Sequence, residues 1–328
     1  CLVGSEMCIR DRAYMGGYML NFIVNEKSKS GNAKQIWKEI EEVLKVRNVS
    51  YQAFVSEYRG HAGKLAAEIC AMDDNDICLV AVGGDGTANE VINGITDFEK
   101  VRFGVIPTGS GNDLARGLSL SKDPKNGAIH ILNAMKKSRE DTWCMDLGEV
   151  NFGEKKRLFA ISAGIGLDAL VCKKALKSTI KDILNKIRLG KLTYLVLTVQ
   201  SLFTMQTADA EIFFDREEGL QKKRMIFTAA MNFKAEGGGV PMAPAASACD
   251  GKLSFCEAAG IPKWRTFLCL PFLVAAKHTS IHGFSVTDAK DCTIRLSRPM
   301  VVHADGEYCG EVTEVHFHCL PGKLRVLK

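Results

Sequence analysis

The sequence predicts an α/β domain with a parallel sheet and helices on both faces, followed by a β-rich, sandwich-like second domain. Two observations support the first domain. Apolar strands alternate with amphipathic helices up to about residue 107, and glycine-rich turns follow two of those strands. For the second domain, the chain beyond residue 146 divides into many short strand-like runs separated by turn residues. Buried strands separated by helices are typical of parallel sheets, and frequent short strands are typical of sandwiches.

The elements of the first domain are predicted from the period of their apolar residues. Strands show continuous or alternating apolar runs and are predicted over residues 19–24, 51–55, 77–82 and 102–106. Helices repeat apolar residues every three or four positions and are predicted over residues 33–46, 61–71 and 87–95. We therefore place the first domain at residues 19–145.

The second domain, residues 146–328, is predicted to be mostly β with a helical insert at residues 169–205. Its strands are predicted over residues 157–163, 208–214, 224–231, 252–257, 284–287, 293–296, 300–303, 312–318 and 324–327. Within the insert, the basic and apolar segment 173–191 is typical of an amphipathic helix, packed on its own domain or lying on a membrane surface. The segment 1–18 is expected to be non-native or disordered, because it lacks both periodicity and the order of a signal peptide.

The composition is that of a globular protein and argues against several classes. With 328 residues, 46% of them apolar, the chain has enough apolar material for two domains. A net charge of +5 without basic runs interleaved with aromatic residues argues against nucleic-acid binding. The 12 cysteines form no Cys-x-x-Cys pair, which favours reduced thiols and a cytoplasmic location. The longest apolar stretch, residues 267–276, is too short to cross a bilayer, so a membrane would be met from outside.

A glycine-rich run, Gly-Gly-Asp-Gly-Thr at residues 83–87, lies between an apolar strand and a helix. Glycines let the backbone turn tightly and approach a ligand closely, and the free N–H groups at a helix start attract phosphate. A helix start alone would explain Thr87 and Glu90 as a capping box, but it leaves the glycines and Asp85 unexplained. The run therefore predicts a phosphate site.

A second turn of the same design follows the next strand. Residues 107–113 read Pro-Thr-Gly-Ser-Gly-Asn-Asp and precede a helix that begins at Leu114. Because the carboxyl ends of parallel strands meet at one edge of a sheet, we expect both turns to converge on one ligand.

Together these motifs resemble a known family. The similar residues are, in chain order, 83–94, 106–115, 146–148, 164–169, 237–239 with 242–244, 250–253 and Asp305-Gly306-Glu307. In this order they resemble the diacylglycerol-kinase catalytic domain that bacterial lipid kinases and sphingosine kinases share, over about residues 20–328. The resemblance implies an ATP-binding α/β domain, a β-rich lipid-binding domain and an active site in the cleft between them.

The resemblance also implies roles for individual residues. Glu307 would accept the proton of a lipid hydroxyl, with Asp305 beside it and Asp85 in the Mg–ATP network; these three are the predicted catalytic residues. The predicted ATP-binding residues are Asn25, Ser28, Ser30, Gly31, Ser56, Gly83, Gly84, Asp85, Gly86, Thr87, Ala88, Asn89, Glu90, Gly109, Ser110, Asn112 and Asp113.

Two further features of the resemblance concern ligands. Asp250, with the backbone carbonyl groups of Ser247 and Lys252, matches a structural magnesium site. Residues 25–31 resemble the first nucleotide loop of the family. This loop departs from the family, because Glu26 follows Asn25 where the family usually has proline. That loop loses a fixed φ, so its nucleotide contacts are expected to differ in detail.

The residues 305–307 alone fit a hairpin turn better than a catalytic site, because Asp-Gly is a strong turn signal. The resemblance reverses this preference. Phosphoryl transfer asks a protein mainly to position donor and acceptor and to neutralise charge, which glycine loops and carboxylates can do.

The predicted function is transfer of the γ-phosphoryl group of Mg–ATP to a lipid hydroxyl, with diacylglycerol as the expected acceptor and phosphatidic acid as the product. ATP and Mg²⁺ are the expected cofactors. The expected partners are a membrane lipid substrate and the membrane surface, with peripheral association at the inner face of the membrane. Nucleic acid is not an expected partner, and a homodimer stays open.

Two alternatives belong to other classes. A Gly-Gly-Asp-Gly run also occurs in NAD kinases, which phosphorylate a soluble dinucleotide, but the motifs of the second half argue against that acceptor. A non-catalytic nucleotide or lipid sensor would keep the fold without turnover. The joint presence of Asp85, Asp250, Asp305 and Glu307 argues against a sensor, because degenerate enzymes commonly lose such carboxylates.

Overall fold

The computed structural model describes residues 19–28, 33–72, 76–177, 190–215 and 218–328. The predictions made for segment 1–18, and for residues 178–189 of the basic segment, lie outside these residues. So do Ser30 and Gly31 of the first nucleotide loop.

The first part of the chain alternates strands and helices. Its elements are β1 (Met19–Val24), α1 (Ala33–Val46), β2 (Tyr51–Val55), α2 (His61–Cys70), β3 (Ile77–Gly83), α3 (Asp85–Gly94), β4 (Val101–Pro107), α4 (Asp113–Gly117) and α5 (Pro124–Ala134). The strands pair in parallel in the order β4-β3-β1-β2, and every residue of β3 and β4 is buried. Helices α1 and α5 cover one face of the sheet, and α2 and α3 cover the other. The predicted parallel sheet with two covered faces is confirmed.

The second part of the chain is rich in antiparallel strands, as predicted. Its elements are β5 (Trp143–Phe152), β6 (Lys155–Phe159), β7 (Ser162–Gly166), α6 (Leu167–Lys177), α7 (Gly190–Thr204), β8 (Ala208–Phe214), β9 (Leu220–Met225), β10 (Phe227–Met231), β11 (Leu253–Ala258), α8 (Lys263–Val274), a 3₁₀ turn (His278–Ser280), β12 (Phe284–Ala289), β13 (Asp291–Ala304) and β14 (Glu307–Val326). Helices α6 and α7 occupy the predicted helical insert.

One strand joins the two sheets. β14 pairs with β13 and β5 in antiparallel fashion, and its last residues pair in parallel with β4, where Arg325 lies opposite Arg102. Ten of the described strands therefore form one continuous path from β12 to β2, and β5, β6, β8 and β9 pair beside it. The sequence predicted a strand at residues 324–327 but placed it in the second sheet, because the alternation of apolar residues does not show which edge a strand joins.

Several boundaries and elements differ from the prediction. The strands predicted at 293–296 and 300–303 are one strand, β13, with a register shift between Arg295 and Met300. Helix α5 was missed although Asp123 caps its start and Pro124 is its first residue. Helix α8 was missed because Pro271 interrupts its pattern. Helix α3 begins at Asp85 rather than Thr87, and the structure assigns it no side-chain cap.

Candidate active site

The two glycine turns lie side by side at the carboxyl ends of β3 and β4. The N–H of Thr108 donates to the carbonyl of Gly83 at 2.8 Å. A Cβ atom added at Gly109 would lie 2.7 Å from the Cα of Gly84, so the two backbones touch where neither residue has a side chain. The expected convergence of the two turns is thus present in the structure.

The carboxylate of Asp85 joins these turns. It accepts the backbone N–H groups of Asp113 and Leu114, both at 3.1 Å, which lie at the start of α4. Burial raises the pKa of Asp85 from 3.8 to about 6. Each carboxylate oxygen accepts one of these bonds, which leaves acceptor capacity for a further ligand.

The first nucleotide loop lies against the same turns. The side-chain amide of Asn25 donates to the Thr87 hydroxyl at 3.0 Å, and the hydroxyl groups of Ser28 and Thr108 lie 2.5 Å apart. Ser56 is buried at the end of β2, where its N–H donates to the Val24 carbonyl. These contacts bring Asn25, Ser28 and Ser56 to the edge where the glycine turns meet.

Glu307 lies at the glycine-rich run 83–87, which we call the phosphate loop, although Glu307 comes from the second part of the chain. A Cβ atom added at Gly86 would lie 3.2 Å from Glu307 Oε1. The other carboxylate oxygen forms an ion pair with Arg59, whose side chain is 66% exposed while that of Glu307 is 19% exposed. A carboxylate and a guanidinium group therefore stand together at the first turn of α3.

Asp305 has a different environment from Glu307. Its carboxylate is buried and accepts the backbone N–H groups of Ala160, Ile161 and Ser162, with the Asn89 amide as a fourth donor at 2.8 Å. Burial raises its pKa, and these N–H groups oppose that shift. These hydrogen bonds hold the start of the β14 hairpin in place, and a part for Asp305 in catalysis stays a prediction.

Asn89 serves the same network. Its amide nitrogen donates to Asp305 and to the Leu158 carbonyl, and its amide oxygen accepts the Arg157 guanidinium at 2.9 Å. Both polar atoms of its side chain have partners within the protein, and direct ATP binding by Asn89 stays a prediction.

Other predicted nucleotide residues also have partners within the protein. Glu90 accepts the N–H of Gly60 at 2.8 Å, so it does not form the capping box with Thr87. The Asn112 side chain closes its own turn through two bonds to the Gly109 backbone. Asp113 pairs with Arg116 and accepts the N–H of Gly238 at 2.9 Å, whereas Ser110 is exposed. The exposed Ser110 is therefore the residue of this loop whose position suits a nucleotide contact.

The predicted structural magnesium site lies in a surface turn. Asp250 is exposed, and its Oδ1 accepts the Lys252 N–H at 3.1 Å. The buried carboxylate of Asp146 anchors the turn by accepting the N–H groups of Gly251 and Gly322, both at 2.7 Å. The turn offers a carboxylate and backbone oxygen atoms, which are the ligands that Mg²⁺ takes. Magnesium binding by Asp250 with Ser247 and Lys252 stays a prediction.

A partly buried polar cluster was missed by the sequence analysis. Asp168, Glu236 and His303 bring their nitrogen and oxygen atoms within 4.8 Å of one another. The N–H of Gly306 donates to His303 Nδ1, so Nε2 carries the proton and donates to Asp168 at 3.1 Å. Burial raises the pKa of Glu236 to about 7, and Ser162 donates a hydrogen bond to this carboxyl group. The signal was the position of Glu236 directly before the triple glycine at 237–239.

The pH dependence of stability tests the environment of Glu236. Because folding raises the pKa of this group from 4.5 to about 7, the folded state binds its proton more tightly than the unfolded chain does. This contribution favours folding at low pH and is lost as the pH rises from 4.5 to about 7. We expect the free energy of unfolding of the Glu236→Gln variant, measured by urea denaturation, to fall less steeply over this pH interval than that of the wild type. The exposed Glu218→Gln is the control, and equal slopes in Glu236→Gln and wild type would contradict the shift.

The contact between the glycine turns gives a second prediction. In Gly109→Ala the new Cβ would lie 2.7 Å from Gly84 Cα and 2.9 Å from Asn112 Oδ1, so the turns must separate. We expect the ATP dissociation constant, measured by calorimetric titration, to rise at least about tenfold, or about 1.4 kcal/mol. In the control Gly127→Ala the Cβ would meet only the Ile106 side chain, at 3.7 Å. Equal ATP affinities for the two variants would show that the close approach is not needed.

Comparisons with known proteins define the class of the fold and site. Residues 19–145 match the family model described as the diacylglycerol kinase catalytic domain, and residues 162–328 match the YegS C-terminal NAD kinase beta sandwich-like domain. Among solved structures, a diacylglycerol kinase from Bacillus anthracis superposes with a TM-score of 0.67 at 18% identity, covering 95% of this chain and 96% of that one. An NAD kinase from Archaeoglobus fulgidus superposes with a TM-score of 0.52 at 14% identity, covering 94% of each chain. At these identities the structures show the shared fold alone.

Curated relatives identify the family. The Bacillus subtilis protein named "Putative lipid kinase YtlR" is 30% identical over 310 residues, which are 93% of this chain and 98% of that protein. A Bacillus subtilis diacylglycerol kinase is 28% identical over 75% of each chain. The chain belongs to the diacylglycerol kinase catalytic-domain family of lipid kinases, as the resemblance predicted.

Proposed function

We propose that this protein transfers the γ-phosphoryl group of Mg–ATP to the hydroxyl of diacylglycerol, giving phosphatidic acid and ADP. The observation that carries the proposal is the position of Glu307, whose carboxylate lies next to Gly86 at the phosphate loop and beside Arg59. Membership in the kinase family and the names of its relatives support the reaction class.

Different residues have different roles in the proposed reaction. The backbone of residues 83–87 and 107–111, together with Asn25 and Ser28, would hold the phosphate groups of ATP. The oxygen of the lipid hydroxyl forms a bond to the γ-phosphorus of ATP, and Glu307 takes the proton of that hydroxyl. The bond between the γ-phosphorus and the β–γ bridging oxygen breaks, and ADP leaves. Arg59 places a positive charge next to this carboxylate, where it would stabilise the negative charge of the phosphoryl group during transfer.

The implied cation fits the residues at the loops. Mg²⁺ is usually held by one or two carboxylates together with phosphate oxygens and water. Asp85 is the carboxylate that both glycine turns share, and its oxygen atoms retain acceptor capacity. When bound with ATP, Mg²⁺ supplies positive charge that neutralises the phosphate oxygens.

The proposed site of action is the inner, cytoplasmic face of a membrane, where the lipid acceptor lies. None of the described helices combines the length and the apolar character that crossing a bilayer requires. Peripheral association with the membrane surface is part of the proposal.

A transfer assay tests the proposal and its alternatives. Labelled γ-phosphate of Mg–ATP is offered with diacylglycerol, sphingosine, monoacylglycerol or NAD, each separately, with the lipids in mixed micelles. Label in diacylglycerol is the expected result. Label in another lipid would change the acceptor, and label in NAD alone would overturn the lipid assignment. ATP binding without labelled product would favour a sensor.

A further inference from the structure

An exposed apolar surface runs along α8 and the end of α7. Helix α8 buries Thr266, Cys269 and Leu273 but leaves large apolar side chains in solvent. We call this surface the apolar patch; its members are Phe203 (51% exposed), Trp264 (60%), Phe267 (40%), Leu268 (56%), Phe272 (49%) and Val274 (65%). The two helices meet where the rings of Phe203 and Phe267 lie 6.0 Å apart. A concentration of exposed aromatic residues is typical of a surface that binds a partner.

The charged residues on the two helices of the apolar patch are all basic. Residues 183–208 and 258–287, which include α7 and α8, contain no aspartate or glutamate. Arg265 and Lys277 are exposed near the two ends of α8, and within the described part of the chain neither forms a salt bridge. Basic residues beside exposed tryptophan, phenylalanine and leucine are typical of helices that lie on anionic lipid surfaces.

The apolar patch is connected to Glu307 through α6. At the end of α7, the Thr204 hydroxyl accepts the Lys174 ammonium group at 3.0 Å. The neighbouring Lys173 pairs with Glu311 of β14 at 2.5 Å and lies 5.1 Å from the ring centroid of Tyr308. Tyr308 directly follows Glu307. Helix α6 therefore contacts both Thr204, the residue after Phe203 of the apolar patch, and the hairpin that carries the candidate base.

We propose that the apolar patch, with Arg265 and Lys277, docks this protein on the surface of an anionic lipid bilayer. The aromatic and aliphatic side chains enter the boundary between headgroups and acyl chains while the basic side chains meet the headgroups. This inference deepens the proposed function and rests on it for the reason to meet a membrane. A two-fold contact with a second copy of the chain fits less well, because it would bring the same basic ends together.

Vesicle sedimentation of the full chain tests the surface. The vesicles contain phosphatidylcholine alone or phosphatidylcholine with phosphatidylglycerol. We expect the wild type to bind the anionic vesicles, and Trp264→Ser combined with Phe272→Ser to lower the partition coefficient at least about tenfold. Arg265→Glu combined with Lys277→Glu should remove the preference for phosphatidylglycerol, since each basic residue near such a surface contributes about fivefold.

Matched controls come from α1, in the other part of the fold. Val46→Ser removes a side chain that is 87% exposed, and Lys38→Glu reverses an exposed charge. Both should bind vesicles as the wild type does. Thermal unfolding midpoints within a few degrees of wild type identify the variants that are folded. If the variant with Trp264→Ser and Phe272→Ser is not folded, the variant with Arg265→Glu and Lys277→Glu carries the test.

Three outcomes would overturn the proposal. They are a wild type that does not bind anionic vesicles, patch variants that bind as well as the controls, and a wild-type dimer that the patch variants convert to a monomer in equilibrium sedimentation. Phosphorylation of a short-chain, water-soluble diacylglycerol separates this test from that of the proposed function. Patch variants should retain that activity, whereas vesicle binding without any lipid phosphorylation would sink the kinase assignment and leave the docking surface standing.

Discussion

Replacing Glu307 by glutamine is expected to lower kcat at least about a hundredfold, because a positioned general base contributes about 10²–10⁴-fold. The amide keeps the shape of the side chain next to Gly86 but cannot take the hydroxyl proton. The KM for ATP should change little, because the residues proposed to hold the phosphate groups, 83–87 and 107–111, do not include Glu307. Initial rates of γ-phosphate transfer to diacylglycerol, measured over a range of ATP concentrations, separate the two parameters.

The matched control for this variant is Glu314→Gln on the same strand. Glu314 is 60% exposed and pairs with Arg295, away from the glycine turns. We expect its kcat to equal that of the wild type. If Glu307→Gln retained wild-type kcat, the hydroxyl proton would have to leave by another route, and the carboxylate would only position Arg59.

Asp305→Asn is expected to have the largest effect on stability. Its carboxylate accepts four N–H groups in a buried site, and an amide nitrogen in place of one oxygen would face donors with another donor. Leaving buried donors unsatisfied costs about 1–3 kcal/mol each, so a loss of about 2–5 kcal/mol in unfolding free energy is expected. Asparagine tolerates the left-handed backbone at this position, where φ is 46°, so backbone strain does not obscure the result.

Urea denaturation with Asp141→Asn as the control checks this expectation. Asp141 is exposed; its carboxylate accepts the Ser138 hydroxyl, and its backbone N–H donates to that hydroxyl. Its substitution should change the free energy of unfolding by less than about 0.5 kcal/mol. A stable Asp305→Asn protein with strongly reduced kcat would instead favour a direct part for Asp305 in the reaction.

The first sheet could be predicted closely because three of its strands, β1, β3 and β4, are buried on both faces. β3 and β4 are continuous apolar runs, and an element of that kind has few alternatives. Helix α8 could not be predicted, since its apolar residues face solvent as well as the core and its proline breaks the pattern. Periodicity predicts an element when one face is buried, and α8 lacks that contrast.

The candidate site was predictable where the backbone is the binding group. Glycine turns after parallel strands must meet at one sheet edge, and they do. The separate roles of Asp305 and Glu307 could not be predicted, because the turn through Gly306, with φ of 80°, sends two carboxylates of one short motif to different environments. Arg59 was missed because its partner is distant in sequence and an ion pair leaves no local pattern.

The strand β14 has a consequence for how the two parts of the chain can move. It begins at Glu307 in one sheet and ends beside β4 in the other, where the N–H of Leu327 donates to the Phe103 carbonyl at 2.8 Å. A rotation of the two lobes about a flexible hinge would strain or break this pairing. Relative movement of the two parts is thus expected to bend the β-ribbon that they share rather than to turn about a free hinge.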